Sequence, residues 1–321
     1  MELFLATRDG LVIAQDDGAS LDITDRRLVG HHVTTVIARE GVILAGTRDG
    51  IYRSGDGGHS WRGASDGLTV RHVRWLAHHP QISDRELAGT EPAAIFISQD
   101  GASTWRECAE VAELRREHGW RLPYSPEPGC IRGFAFYGQR AYAAAEDGAV
   151  LRSDDGGQTW DLAPGSAGHP DHGPPSGRVH SDVHSVTTHS GSPDRVLAPT
   201  GGGLYRSDDG GQTWERLYRC YCRAAWWDPT DPQHIIFGPA DGVDRSGRVE
   251  ESRDGGRTWH AAGDGLDAPW PRHMVERLHH IGDRLWAVLS NGDLFVASLD
   301  DLAWRPALPE AGWIHDLAAM R

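Results

Sequence analysis

The pattern Ser-x-Asp-x-Gly-x-Ser/Thr-Trp recurs along this chain, and no other feature limits its fold as strongly. Clean copies are Ser54, Asp56, Gly58, Ser60, Trp61; Ser153, Asp155, Gly157, Thr159, Trp160; Ser207, Asp209, Gly211, Thr213, Trp214; and Ser252, Asp254, Gly256, Thr258, Trp259. A fifth, Ser98, Asp100, Thr104, Trp105, has Ala102 in the Gly position. Two eroded copies are Asp16-Asp17-Gly18-Ala19-Ser20-Leu21, with Leu for Trp, and Ser298, Asp300, Trp304, one residue short. The chemistry is that of a hairpin turn. The Asp carboxylate accepts turn N–H groups, Gly takes a backbone geometry that side chains resist, and Trp buries a large ring between sheets. A turn that organises itself in this way builds structure, so its Asp residues are poor catalytic candidates.

Each copy sits in a longer unit. Over residues 33–64, Val33-Thr34-Thr35-Val36-Ile37-Ala38, Val42-Ile43-Leu44-Ala45-Gly46-Thr47 and Ile51-Tyr52-Arg53-Ser54 read as three strands, and Trp61-Arg62-Gly63-Ala64 opens a fourth after the turn. Four antiparallel strands make one propeller blade. The Trp position falls at 21, 61, 105, 160, 214, 259 and 304, which predicts seven blades, or six if an eroded copy is not a blade. The chain starts on a second strand, Leu3–Thr7, and ends on an inner one, Trp313–Ala318. The last strand should therefore join the first blade and close the ring. The expectation is one all-β domain over 1–321, a seven-bladed β-propeller. Loop insertions at about 109–129 and 162–180 should lie on the face opposite the repeated turns, where long loops on a rigid scaffold carry function. Val111–His118 in the first reads as a short helix.

The repeat resembles the Asp-box (BNR-like) β-propellers, the type found in sialidases, sortilin-type receptors, xyloglucan-active hydrolases and photosystem assembly factors. The resemblance covers nearly the whole chain. It implies the propeller fold and leaves activity open, because such families hold enzymes and binding proteins alike. It is not close to a true sialidase: Arg8 and Arg26 lie outside any Arg-Ile-Pro motif, and no Tyr–Glu nucleophile pair can be assigned.

The formal net charge is −14, and all 32 basic residues are Arg. An acidic surface repels phosphate backbones, which argues against a nucleic-acid partner. There is no run of 18 apolar residues and no basic, then apolar, N-terminal leader pattern, so the reading is a cytoplasmic protein without a membrane partner. Four Cys do not make a disulfide framework; Cys220 and Cys222 read as ordinary thiols sooner than as a metal pair.

Aligning the seven inner strands places Thr34, Arg74, Arg132, His184, Arg223, Glu276 and His315 in one column. Two residues earlier stand His32, His72, Cys130, Asp182, Tyr221, Met274 and Trp313, on the same side by strand alternation. These side chains should face the central channel. Three Arg on an axis need anions. Glu276, Asp182 and Asp316 could supply them and leave only water; alternatively, positive charge to spare would grip a carboxylate or phosphate. In His180-Ser181-Asp182-Val183-His184, alternation puts His180, Asp182 and His184 together. A divalent metal on His180 and His184 is one reading, a general base another, a structural polar ring the third.

The leading function is a soluble propeller that binds an anionic small molecule or peptide carboxylate at the channel mouth through His32, His72, Arg74, Arg132, Tyr221 and Arg223. One alternative is a hydrolase or lyase in the same pocket, glycosidase-like or metal-assisted, with His184, His315, Glu276 and Asp182 as its catalytic groups. A second is a protein-interaction or assembly scaffold.

Overall fold

A computed structural model describes residues 1–18, 20–170 and 173–320. Ala19 of the eroded first copy, and residues 171–172 of the second insertion, lie outside the described residues.

The repeated turn folds as its chemistry requires. In the Ser153 copy, the Ser153 hydroxyl donates to Asp155 Oδ1 at 2.7 Å, and the Gly157 amide donates to Ser153 Oγ at 2.9 Å. The same carboxylate accepts the Gln158 and Thr159 amides and the Thr159 hydroxyl. Gly157 has φ +86°, in the left-handed region. Trp160 is fully buried and donates its indole N–H to the Gly157 carbonyl at 3.0 Å. Together these bonds hold the Asp155 carboxyl below its ordinary range. Replacing Asp155 by alanine is expected to cost about 1 kcal/mol, read as a lower urea midpoint with an unchanged slope.

Seven four-stranded antiparallel sheets form the ring. Blade 1 joins Ile314–Ala319 to Glu2–Thr7, Gly10–Asp16 and Leu21–Arg27, so the two ends of the sequence share one sheet. Blade 2 is Val33–Arg39, Val42–Thr47, Gly50–Ser54 and Arg62–Gly63. Blade 3 is Val73–His78, Glu86–Thr90, Ile95–Ser98 and Arg106–Glu107. Blade 4 is Cys130–Tyr137, Arg140–Glu146, Ala149–Ser153 and Asp161–Leu162. Blade 5 is Thr187–Thr188, Val196–Thr200, Gly203–Ser207 and Glu215–Tyr218. Blade 6 is Tyr221–Trp227, Ile235–Ala240, Glu250–Ser252 and His260–Ala261. Blade 7 is Val275–Ile281, Arg284–Leu289, Leu294–Ser298 and Arg305–Pro306.

The core lies between neighbouring blades. Trp286, Leu3, Leu5 and Leu317 share one cluster; Phe96, Leu44 and Trp105 share another. Where a second strand faces the next blade's inner strand there is little room. A Cβ on Gly238 would lie 2.4 Å from Val275 Cβ. The first insertion contains the expected helix, Ala109–His118, ended by Gly119 at φ +64°. No helix among the described residues is long and apolar enough to cross a membrane.

Candidate functional site

A β-bulge recurs near the start of the inner strands. Val33 and Thr35 pair with adjacent residues Thr47 and Gly46, leaving Thr34 as the extra residue. The same skip leaves out Arg74, Arg132, Glu276 and His315, and one of wider span takes in Arg223. A bulge redirects a side chain that the ladder would otherwise alternate. Six of the seven aligned residues therefore face the channel, through bulges and not through strand alternation, while His184 lies outside the cavity lining. The bulge also lets consecutive residues share the cavity: Arg74 with Trp75, and Glu276 with Arg277. Trp75 and Arg277 were not expected there.

The channel is closed partway down by ion pairs that cross it. Glu276 of blade 7 accepts a bond from Arg132 of blade 4, and from Arg223 of blade 6 at 2.6 Å. Arg277 pairs with Asp316 of blade 1 at 2.9 Å, lies 3.9 Å over the Trp75 ring, and donates to the Thr34 and Arg74 carbonyls. Asp316 also accepts the Thr35 hydroxyl and Val36 amide. Arg74 finds Glu91 at 2.8 Å. The expectation of spare charge on Arg74, Arg132 and Arg223 is thus corrected: each has a carboxylate, and two of these acids, Glu91 and Glu146, were not foreseen.

Above this floor lies an open bowl of about 240 Å³. His32, His72, His315, Arg8, Arg48 and Trp313 form much of its wall. Arg8 stacks on Trp313 with its guanidinium carbon 3.4 Å from the ring centre. Arg8 and Arg48 are exposed, and among the described residues neither forms an ion pair. Burial followed by the Arg74 charge pushes the His72 pKa down to about 4. Burial, then His32 and Arg277, pushes His315 down to about 3. His32, stacked 4.7 Å from His315, is lowered by burial and then by Arg48 and Arg8. At neutral pH the rim imidazoles are therefore neutral and the surplus charge belongs to arginine. Arg8 and Arg48 follow the last residue of the second strand in their blades, in Thr-Arg-Asp-Gly turns; Glu91 follows Thr90 in the same way. Comparing those turns in the sequence would have found all three.

Blade 5 departs from its siblings. Its inner strand is regular only at Thr187–Thr188, with an isolated bridge between Val183 and Thr200. The extended alternation expected over 180–184 is broken because the Ser181 carbonyl accepts the Val183 amide in a tight turn and the Gly148 amide of blade 4. His180 accepts the Asp182 amide on Nδ1, 3.2 Å away, and does not join the donor group around His184. Asp182 does: its Oδ1 lies 3.1 Å from His184 Nε2. His184 Nδ1 is 2.8 Å from the Cys222 carbonyl, and the Tyr221 hydroxyl is 3.1 Å from Nε2. Glu146 completes this group, with Oε1 3.9 Å from His184 Nε2 and 3.1 Å from Arg132. Met274 is buried, and Cys130 donates its thiol to Glu146. Cys220 and Cys222 are free thiols.

The carboxyls proposed for catalysis are strongly acidic. Two guanidiniums overcome burial to hold Glu276 well below the usual carboxylate range, and His184 does the same for Asp182. A glycosidase acid requires the opposite shift. The first insertion reaches the ring: the Tyr124 hydroxyl donates to Glu146 at 2.7 Å and Ser125 to Glu91 at 3.0 Å. The second packs on the first through the Trp120 indole and the Gly168 carbonyl, 2.6 Å apart.

The BNR/Asp-box repeat family matches residues 151–162 and 205–216, the turns of blades 4 and 5. The chain is a seven-bladed β-propeller that carries BNR/Asp-box repeats. Part of it is 32% identical, over 143 residues, to Vacuolar protein sorting/targeting protein 10 of Aspergillus terreus; the match covers 40% of this chain and 9% of that protein. An ancestral GH74 enzyme superposes with a TM-score of 0.64 at 18% identity, over 89% of this propeller and 38% of the enzyme. YCF48 bound to D1 peptide superposes with a TM-score of 0.59 at 15% identity, over 88% and 84% of the two chains. At such identities the likeness is one of fold.

Proposed function

We propose that this propeller is a binding module whose bowl takes an anionic group, a carboxylate carried by a small molecule or a peptide. One observation carries the reading: Arg8 and Arg48 stand exposed at the mouth without a carboxylate partner among the described residues, beside Arg74 and three neutral imidazoles. The ion pairs beneath hold these walls rigid, so little ordering cost falls on binding. Guanidinium edges suit a carboxylate in two-point contact. Tyr124 and Val243 are exposed apolar residues in the first insertion and in a blade 6 turn, which favours a ligand with an apolar portion beyond the anion. The peptide complex of YCF48 is compatible with this use of the fold.

Calorimetry with succinate, and with a short peptide as free acid and as C-terminal amide, tests the proposal. The acid should bind and the amide should not. Arg8→Gln with Arg48→Gln should weaken acid binding roughly tenfold per arginine, about 1.4 kcal/mol each. Because an anion favours the charged imidazoles, it raises the pKa of His72 and His315, and binding takes up protons. With His72 at about 4 and His315 at about 3, that uptake begins only towards pH 5, and affinity should stay nearly flat from pH 8 to pH 6. Equal affinity for acid and amide, or indifference to both substitutions, would reject the reading.

A further inference from the structure

We propose that Glu146, Asp182 and His184 form a site for one divalent transition-metal ion with nitrogen and oxygen ligands, of the zinc or manganese class. The three donor atoms lie within 4.8 Å of one another. An ion bound about 2.1 Å from each donor places neighbouring donors roughly 3.0–4.2 Å apart. The His184 Nε2 distances of 3.1 Å to Asp182 and 3.9 Å to Glu146 already fall in that range.

Four further observations support the site. First, His184 Nδ1 meets the Cys222 carbonyl at 2.8 Å, which places a proton on Nδ1 and turns Nε2 towards the two carboxylates and the Tyr221 hydroxyl. Either a second proton or a metal ion must therefore lie between Nε2 and Asp182. Secondly, the surrounding charge is unbalanced. Arg132 and Arg223 supply two positive charges, while Glu146, Glu276 and Asp182 supply three negative ones. Such an excess in a low-dielectric interior calls for a third cation, either a bound metal ion or the imidazolium of a histidine beside Asp182. Thirdly, Glu146 breaks the repeat. Its position ends the second strand, where Thr7, Thr47 and Thr200 in other blades donate hydroxyls to close the following turn. Glu146 is instead turned into the ring and held there by Tyr124 and Cys130. Fourthly, Gly201 leaves room for the carboxylate opposite: a Cβ there would lie 2.1 Å from Asp182 Oδ2. The Tyr221 hydroxyl, 3.1 Å from Nε2, borders the open side, where a water or an exchangeable ligand completes the coordination.

The site meets the floor of the anion bowl through Arg132, but its donors lie outside the cavity lining, so either proposal can fail alone. The test strips the whole chain with a chelator, adds zinc or manganese, dialyses, and measures metal per chain by mass spectrometry. About one equivalent is expected. Asp182→Asn and Glu146→Gln, with folding checked by circular dichroism, should each lower affinity at least roughly 100-fold, and Tyr221→Phe less, roughly tenfold. Should the ligand variants misfold, two wild-type measurements decide. Cobalt(II) should give d–d absorption, and imidazole nitrogen NMR should show the His184 Nε2 signal moving on metal addition while the Nδ1 proton persists. No uptake by wild type, unchanged affinity in folded variants, or a doubly protonated His184 that ignores added metal would each overturn the proposal. The last would identify the missing cation as the imidazolium.

Discussion

Replacing Glu276 by alanine is expected to destabilise the propeller by about 3 kcal/mol, within the range for removing one partner of a buried ion pair. The carboxylate serves two guanidiniums from different blades. Arg132 keeps Glu146 after the change, but Arg223 is left with Asp244 at 4.0 Å. Because 21% of the Glu276 side chain is exposed, water offsets part of the loss, which sets the expectation at the low end. The pH dependence gives an independent check. The Glu276 pKa is depressed in the fold, so its contribution is present above the unfolded value near 4.5 and is lost as pH falls below it. Melting temperatures measured from pH 6 to pH 3 should fall less steeply for Glu276→Gln than for wild type. The slope will not vanish, because Asp182 and Asp316 are also depressed. A loss under about 1 kcal/mol would mean that water already screens the pair as it does surface salt bridges.

Leu317→Ala is expected to cost about 3 kcal/mol, as for other buried leucines. Leu317 lies in the closing strand opposite Leu5, and only 2% of it is exposed. It packs in the cluster that contains Leu3, Val12 and Trp286. The strand that closes the ring should therefore carry as much energy as one inside a blade. Leu44→Ala in blade 2, where Leu44 is fully buried, is the matched comparison. Denaturation of both variants should stay cooperative with similar losses. A much smaller loss for Leu317→Ala would show that blade 1 closes loosely and that the ring tolerates an open edge.

The fold was legible because its repeat is local. Ser153, Asp155, Gly157, Thr159 and Trp160 satisfy one another within eight residues, so the pattern survives in the sequence and counts the blades. The channel-facing column was legible for a different reason: each inner strand is an apolar, β-branched run that can be aligned whatever the length of the loop before it, 13 residues from Trp61 to Arg74 and 27 from Trp105 to Arg132. The mechanism of their orientation was not legible, since a bulge adds one unpaired residue without a composition signal. It was the bulge that brought Arg277 and Trp75 to the axis. Arg8, Arg48 and Glu91 went unnoticed although a shared turn position marks them. Among the described residues the donor atoms grouped around His184 are those of Asp182 and Glu146, because local hydrogen bonds interrupt the inner strand of blade 5.

By itself the sequence determined the architecture: how many blades, where each begins and which turns are purely structural. These follow from short-range hydrogen bonding and hydrophobic alternation, both of which repeat with the chain. Only the tertiary structure decided which charges meet. Arg132 and Glu276 are 144 residues apart, and Thr35 and Asp316 are 281 apart. Coulomb energy depends on distance and burial, and neither is written in sequence order. Ring closure joined those residues, neutralised the floor, and left the unpaired guanidiniums at the mouth.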